Sequence, residues 1–77
     1  MPKVTFNVPQ KQREIAEELR EHFGGMMTAT DVGRELGISH DASISRWLAD
    51  VPSVTVNNRK RWRVSDVAAK IYKEMEI

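Results

Sequence analysis

The residues of this chain best suited to chemistry are the run Arg59-Lys60-Arg61-Trp62-Arg63, in which four of five side chains are positive and none is negative. Such a run neutralises phosphates and releases their counterions, the main source of non-specific affinity for nucleic acid. The formal net charge of the chain is only +1, and residues 1–25 carry four basic and four acidic side chains. The positive charge is therefore local, as a docking surface requires.

Other reactive residue types lead less far. Glu14, Glu17, Glu18 and Glu21 lie among Arg13 and Arg20 at helical spacing, the pattern of a solvated helix face laced with i,i+4 pairs. No nucleophile with a base and no Gly-rich phosphate loop accompanies them, so the pattern is not that of an enzyme. His22 and His40 are far apart, without paired Cys or a HExxH spacing, and neither a metal nor another cofactor is expected. The chain has no cysteine, which removes disulfides and thiolate zinc as staples of a small fold. No apolar run approaches the ~18 residues of a membrane span and no signal-peptide pattern opens the chain, so a cytoplasmic protein without a membrane partner is expected.

These residues must be positioned by a single small domain, since 77 residues bury only about 60% of the surface of the unfolded chain. Val4, Phe6 and Val8 alternate with Lys3, Thr5 and Asn7, the period of a short strand over residues 3–8. Pro9 suits a first helical turn, and Ile15, Leu19 and Phe23 follow at four-residue spacing until Gly24-Gly25, which predicts a helix over 9–23. Thr28 and Asp31 have the spacing of a capping box, opening a helix over 29–36 that carries Val32 and Leu36 and ends at Gly37. Ser39 is positioned to cap a second helix over 40–49 with Ile44, Trp47 and Leu48 on its buried stripe. After Val51-Pro52-Ser53, Val54-Thr55-Val56 and Arg61-Trp62-Arg63-Val64 flank Asn57-Asn58-Arg59-Lys60, a β-hairpin over 54–64. Its alternation sets Val54, Val56, Trp62 and Val64 toward the core and Thr55, Arg61 and Arg63 outward. Ser65 then caps a last helix with Val67, Ala68, Ile71 and Met75 inward.

The stretch Thr28-Ala29-Thr30-Asp31-Val32-Gly33-Arg34-Glu35-Leu36-Gly37-Ile38-Ser39 resembles a helix-turn-helix signature, with a small residue, Gly33, four before the turn Gly37. Ile44-Ser45-Arg46-Trp47-Leu48 resembles the middle of its recognition helix, and Arg61-Trp62-Arg63-Val64-Ser65 resembles the wing and closing helix of excisionase and MerR-like DNA-binding domains. Between Gly37 and Ile44 the chain is one residue longer than the common spacing, which either lengthens the turn or delays the second helix. The resemblance implies an α+β fold, a winged helix-turn-helix over residues 26–77 with an additional N-terminal strand and helix over 1–25 packed on it. It also implies a small transcriptional regulator, or a recombination accessory factor that binds double-stranded DNA and associates cooperatively.

Candidate DNA contacts follow from this reading. On the second helix Ala42, Arg46 and Ala49 lie opposite Ile44, so small side chains permit close approach to a groove and Arg46 reaches a base or phosphate. Thr28, Ser39, His40, Ser43 and Ser45 flank that surface, while Asn58, Arg59, Lys60, Arg61 and Arg63 supply the wing. Trp47 and Trp62 are read as core by their periodicity. Two alternatives remain open: a dimeric ribbon-helix-helix protein reading DNA with Lys3, Thr5 and Asn7, and a winged-helix module that binds a protein partner without DNA.

Overall fold

The computed structural model describes residues 8–75. Its elements are α1 (Gln10–Phe23), β1 (Met26–Met27), α2 (Ala29–Leu36), α3 (Asp41–Leu48), β2 (Val54–Val56), β3 (Arg59–Arg63) and α4 (Val64–Glu74). The three strands form one antiparallel sheet in the order β1-β3-β2. The described residues thus form an α+β fold of helices against a small sheet. The strand expected over residues 3–8 falls, but for Val8, outside the described residues.

Leu19 of α1, Met27 of β1, Val32 of α2, Ile44 and Leu48 of α3, Val51, Trp62 of β3 and Val64, Val67 and Ala68 of α4 make one core. Every one of the seven elements except β2 contributes a buried side chain to it. The first helix packs chiefly against the last, and Leu19, 2% exposed, is its one fully buried contribution, with Ile15 and Phe23 half-buried beside it. Burying a leucine of this kind stabilises by about 1.5–3 kcal/mol relative to leaving it exposed.

Local chemistry sets the boundaries. Pro9 stands before α1 and not in its first turn, because its ψ of 146° is extended; its carbonyl accepts from the Arg13 N–H at 3.1 Å. At α2 the capping box forms as expected: Asp31 N–H donates to Thr28 Oγ1 at 3.0 Å and Thr28 N–H donates to Asp31 Oδ2 at 3.1 Å. Gly37 takes φ 75°, ψ 25°, and the Ile38 N–H returns to the Gly33 carbonyl at 2.8 Å, closing the helix end in the left-handed manner that glycine adopts at least cost.

The last helix begins earlier than its sequence indicates. Val64 is its first residue and Arg63 its N-cap, with no side-chain cap, so Ser65 lies inside the first turn. An N–H from Val64 to the Gly25 carbonyl at 3.0 Å ties the start of α4 to the approach of β1. Met75, expected on the buried stripe, is 37% exposed because the helix stops at Glu74. The two-residue β1 was not foreseen: two methionines are too short a stretch to show alternation, yet Met27 is fully buried opposite Trp62.

Candidate nucleic-acid interface

The helix α3 is pressed onto α2 at a point that tolerates no side chain. A Cβ on Gly33 would lie 2.5 Å from Ile44 Cδ1 and 2.8 Å from the Ile38 carbonyl oxygen, well inside van der Waals contact. The extra residue of the turn is spent on extended backbone: His40 is the N-cap at φ −96°, ψ 126°, and the first turn closes from Ile44 N–H to the His40 carbonyl at 3.0 Å. Ser39 is therefore an exposed turn residue and not the cap expected of it, and α3 begins at Asp41.

With Ile44 and Leu48 buried, the opposite arc of α3 presents Asp41, Ala42, Ser45, Arg46 and Ala49 to solvent. Ser43 is half-buried on the flank, and His40 is exposed at the helix entrance. Trp47 is half-buried and not in the core proper. Lys70 of α4 sets its ammonium 5.1 Å from the indole centroid and donates to Asp50 Oδ1 at 2.6 Å. The hydrogen bond from Lys70 holds the Asp50 carboxyl below the usual carboxylate range, and the positive charges of Lys70 and Lys73 act in the same direction against a desolvation cost. Nothing in the sequence announces this tie, because its partners are 20 residues apart.

The hairpin turns on two residues, Asn57 at φ 52° and Asn58 at φ 64°, the paired positive values of a type I′ turn, for which asparagine is well suited. The expected four-residue loop is thus a two-residue one, and β3 starts at Arg59. The register pairs Val54 with Arg61, Thr55 with Lys60 and Val56 with Arg59. Directly opposed residues share a face and successive residues alternate. The expected facing is accordingly corrected: Val54 and Val56 share the face of Arg59, Arg61 and Arg63, whereas Trp62 shares its face with Lys60 and Thr55. A two-residue turn joins an even-numbered position to an odd-numbered one, so the even valines cannot face with the even tryptophan.

This alternation divides the cationic run. Lys60 and Trp62 line a cleft of about 210 Å³ together with Ala29 at the start of α2, Ser45 and Leu48 of α3, its C-cap Ala49, and Val51 and Ser53. Lys60 is exposed at its rim, and Trp62, 8% exposed, forms its floor. The indole Nε1 is enclosed with no hydrogen-bond partner among the described residues. On the other face Arg59 and Arg63 are exposed and Arg61 is half-buried. Arg61 Nη1 donates to the Lys60 carbonyl at 3.4 Å, and Arg63 Nε stands 3.9 Å from Asp66 Oδ2.

Of the residues singled out in the sequence, Ser45 and Lys60 are thus brought to one cleft, with Arg46 exposed further round α3, Ser39 and His40 at the entrance of that helix and Asn58 at the hairpin tip. Thr28 is half-buried with its hydroxyl engaged in the cap. Arg61 and Arg63 face away. Among the described residues no group of three or more His, Cys, Asp or Glu side chains could hold a metal ion, and no helix is long and apolar enough to cross a membrane. Comparison with protein-family models, curated proteins and solved structures finds no match to this chain.

Proposed function

We propose that this chain is a winged helix-turn-helix that binds double-stranded DNA, with α3 in the major groove and the hairpin as the wing. The observation that supports this most is the shared cleft: the small side chains of Ser45 in α3 and Ala49 at its C-cap and the wing cation Lys60 border the same opening. Small residues let a helix backbone approach base edges, and an ammonium beside it engages the flanking phosphate. Arg46, exposed on α3, reaches a guanine edge or a phosphate in this placement. The element order α1-β1-α2-α3-β2-β3 and the strand order β1-β3-β2 are compatible with a winged-helix topology.

The role is recognition and not catalysis, exercised as a small transcriptional regulator or an excisionase-like accessory factor. The test is a titration of labelled random-sequence duplex at two salt concentrations. Wild-type binding weakens as salt rises, and Lys60→Ala lowers the slope of log affinity against log salt by about 0.9, the share of one phosphate contact. Arg46→Ala lowers affinity at both salts. A folded protein that fails to bind duplex at low salt sinks the reading and directs attention to a protein partner.

A further inference from the structure

We propose that the outer face of the hairpin is a second polyanion site, one that takes the phosphate backbone of a second duplex, so that one chain bridges two DNA segments. The inference rests on the DNA-binding reading above and assigns a separate role to arginines that this reading leaves unused.

Arg59, Arg61 and Arg63 recur at every second residue of β3, so their side chains leave the sheet on one side, opposite to Lys60 and the α3 cleft. They span about 13 Å at the rise of a strand. The phosphates of one DNA strand rise ~3.4 Å each along the axis while winding around it, so a straight row of that length meets about two or three of them. Guanidinium groups suit such a row because they grip phosphate oxygens two at a time.

On this face Arg59 and Arg63 are exposed, and the half-buried Arg61 is held, among the described residues, only by a long 3.4 Å hydrogen bond to the Lys60 carbonyl. The residues directly opposite the three arginines are Val56, Val54 and Met26. Opposed Cβ atoms are about 4.5–5.5 Å apart, so the aliphatic arginine stems can lie along apolar neighbours with their charged ends outward. Met26 and Val56 are themselves exposed, at 39% and 43%, so no other described element covers this part of the face. Asp66, half-buried and 3.9 Å from the exposed Arg63, is the one carboxylate paired with this row among the described residues, and at that separation, with the arginine in solvent, the pair holds weakly. The rival occupant is an acidic protein surface, such as the exposed Glu14, Glu18 and Glu21 of a second copy. It is less favoured because those glutamates share their helix with Lys11, Arg13 and Arg20, and Lys11 already stands 4.0 Å from Glu14.

The test immobilises one random-sequence duplex on beads and measures retention of a second, fluorescent duplex, with single-duplex affinity measured in parallel. Wild type retains the second duplex. Arg61→Ala/Arg63→Ala loses that retention by about tenfold or more, as expected for two lost phosphate contacts near physiological salt, while its single-duplex affinity stays within about twofold. Arg61→Lys/Arg63→Lys restores much of it, and thermal melts establish that all variants fold. Three results overturn the proposal alone: wild type binding one duplex without bridging, the double alanine variant losing single-duplex affinity as Lys60→Ala does, or DNA-free self-association that disappears in the double alanine variant. Absence of any duplex binding by folded wild type overturns the underlying reading as well.

Discussion

The α2–α3 pair and the β2–β3 hairpin present opposite kinds of surface, and each is oriented by a different device. The exposed arc of α3 is mostly small, and its orientation follows from packing: Gly33 admits Ile44 so closely that the helix has one seat. The hairpin is short and contributes little to the core, with no buried residue in β2 and only Trp62 buried in β3. Its orientation follows from the turn: two asparagines at positive φ fix the pairing, and the pairing decides which cation joins α3. A helix face is thus protected by the volume behind it, whereas a strand face depends on the parity of a loop.

Substitutions at four positions would break or sharpen this comparison. The largest effect is expected at the point where the hairpin holds to the core: Trp62→Ala costs about 3–5 kcal/mol, read from urea unfolding. Trp62→Phe should cost far less than its lost volume implies, because it removes the enclosed, unpartnered indole N–H. A Trp62→Phe variant as damaged as Trp62→Ala would mean that the nitrogen is satisfied.

On the helical side, Gly33→Ala forces its Cβ against Ile44 and the Ile38 carbonyl, and overpacking of this kind costs about 1–3 kcal/mol. A melting temperature equal to that of wild type would show that α3 is free to shift on α2. Thr28→Ala removes one half of the capping box and should cost about 0.5–2 kcal/mol, with faster amide exchange confined to the first turn of α2. Uniform loss of protection across the chain would instead make the cap part of the global unfolding unit.

The smallest effect belongs to the tie between α3 and α4. The Asp50 carboxyl, held low by Lys70, adds stability that is present above the ordinary carboxylate pKa and is lost as pH falls through the depressed folded value. Lys70→Met removes that component, so its denaturation midpoint should fall less steeply at acid pH than that of wild type. Parallel acid limbs for the two proteins would show that the pair, with Asp50 largely in solvent, is not coupled to folding.

What could be read from the sequence follows the same division. The boundaries of α2 were legible to the residue because Thr28, Asp31 and Gly37 act locally through backbone hydrogen bonds, and the outward arc of α3 was legible because 3.6-residue periodicity does not depend on a partner. The N-cap of α3 was not, since the residue that takes the position, His40, makes no side-chain capping hydrogen bond and so carries no capping signal. The facing of the valines was misread because alternation defines two faces of a strand without saying how one strand pairs with the next. Two asparagines in αL supply that information, and a four-residue loop obscured it. β1 and the Lys70 contacts with Trp47 and Asp50 were invisible for a third reason: they arise from tertiary pairing between distant segments with no local pattern of their own.

The central claim is that α3 and the Lys60 side of the hairpin form one duplex-binding surface. The most direct test is to follow backbone amide chemical shifts while a short duplex is added at low salt. The account predicts that the largest changes fall on Ala42, Ser45, Arg46 and Ala49 of α3 and on Asn58 through Lys60, and that they shrink as salt is raised. Shifts confined to α1 and α4, or a spectrum unchanged by a saturating excess of duplex, would contradict it.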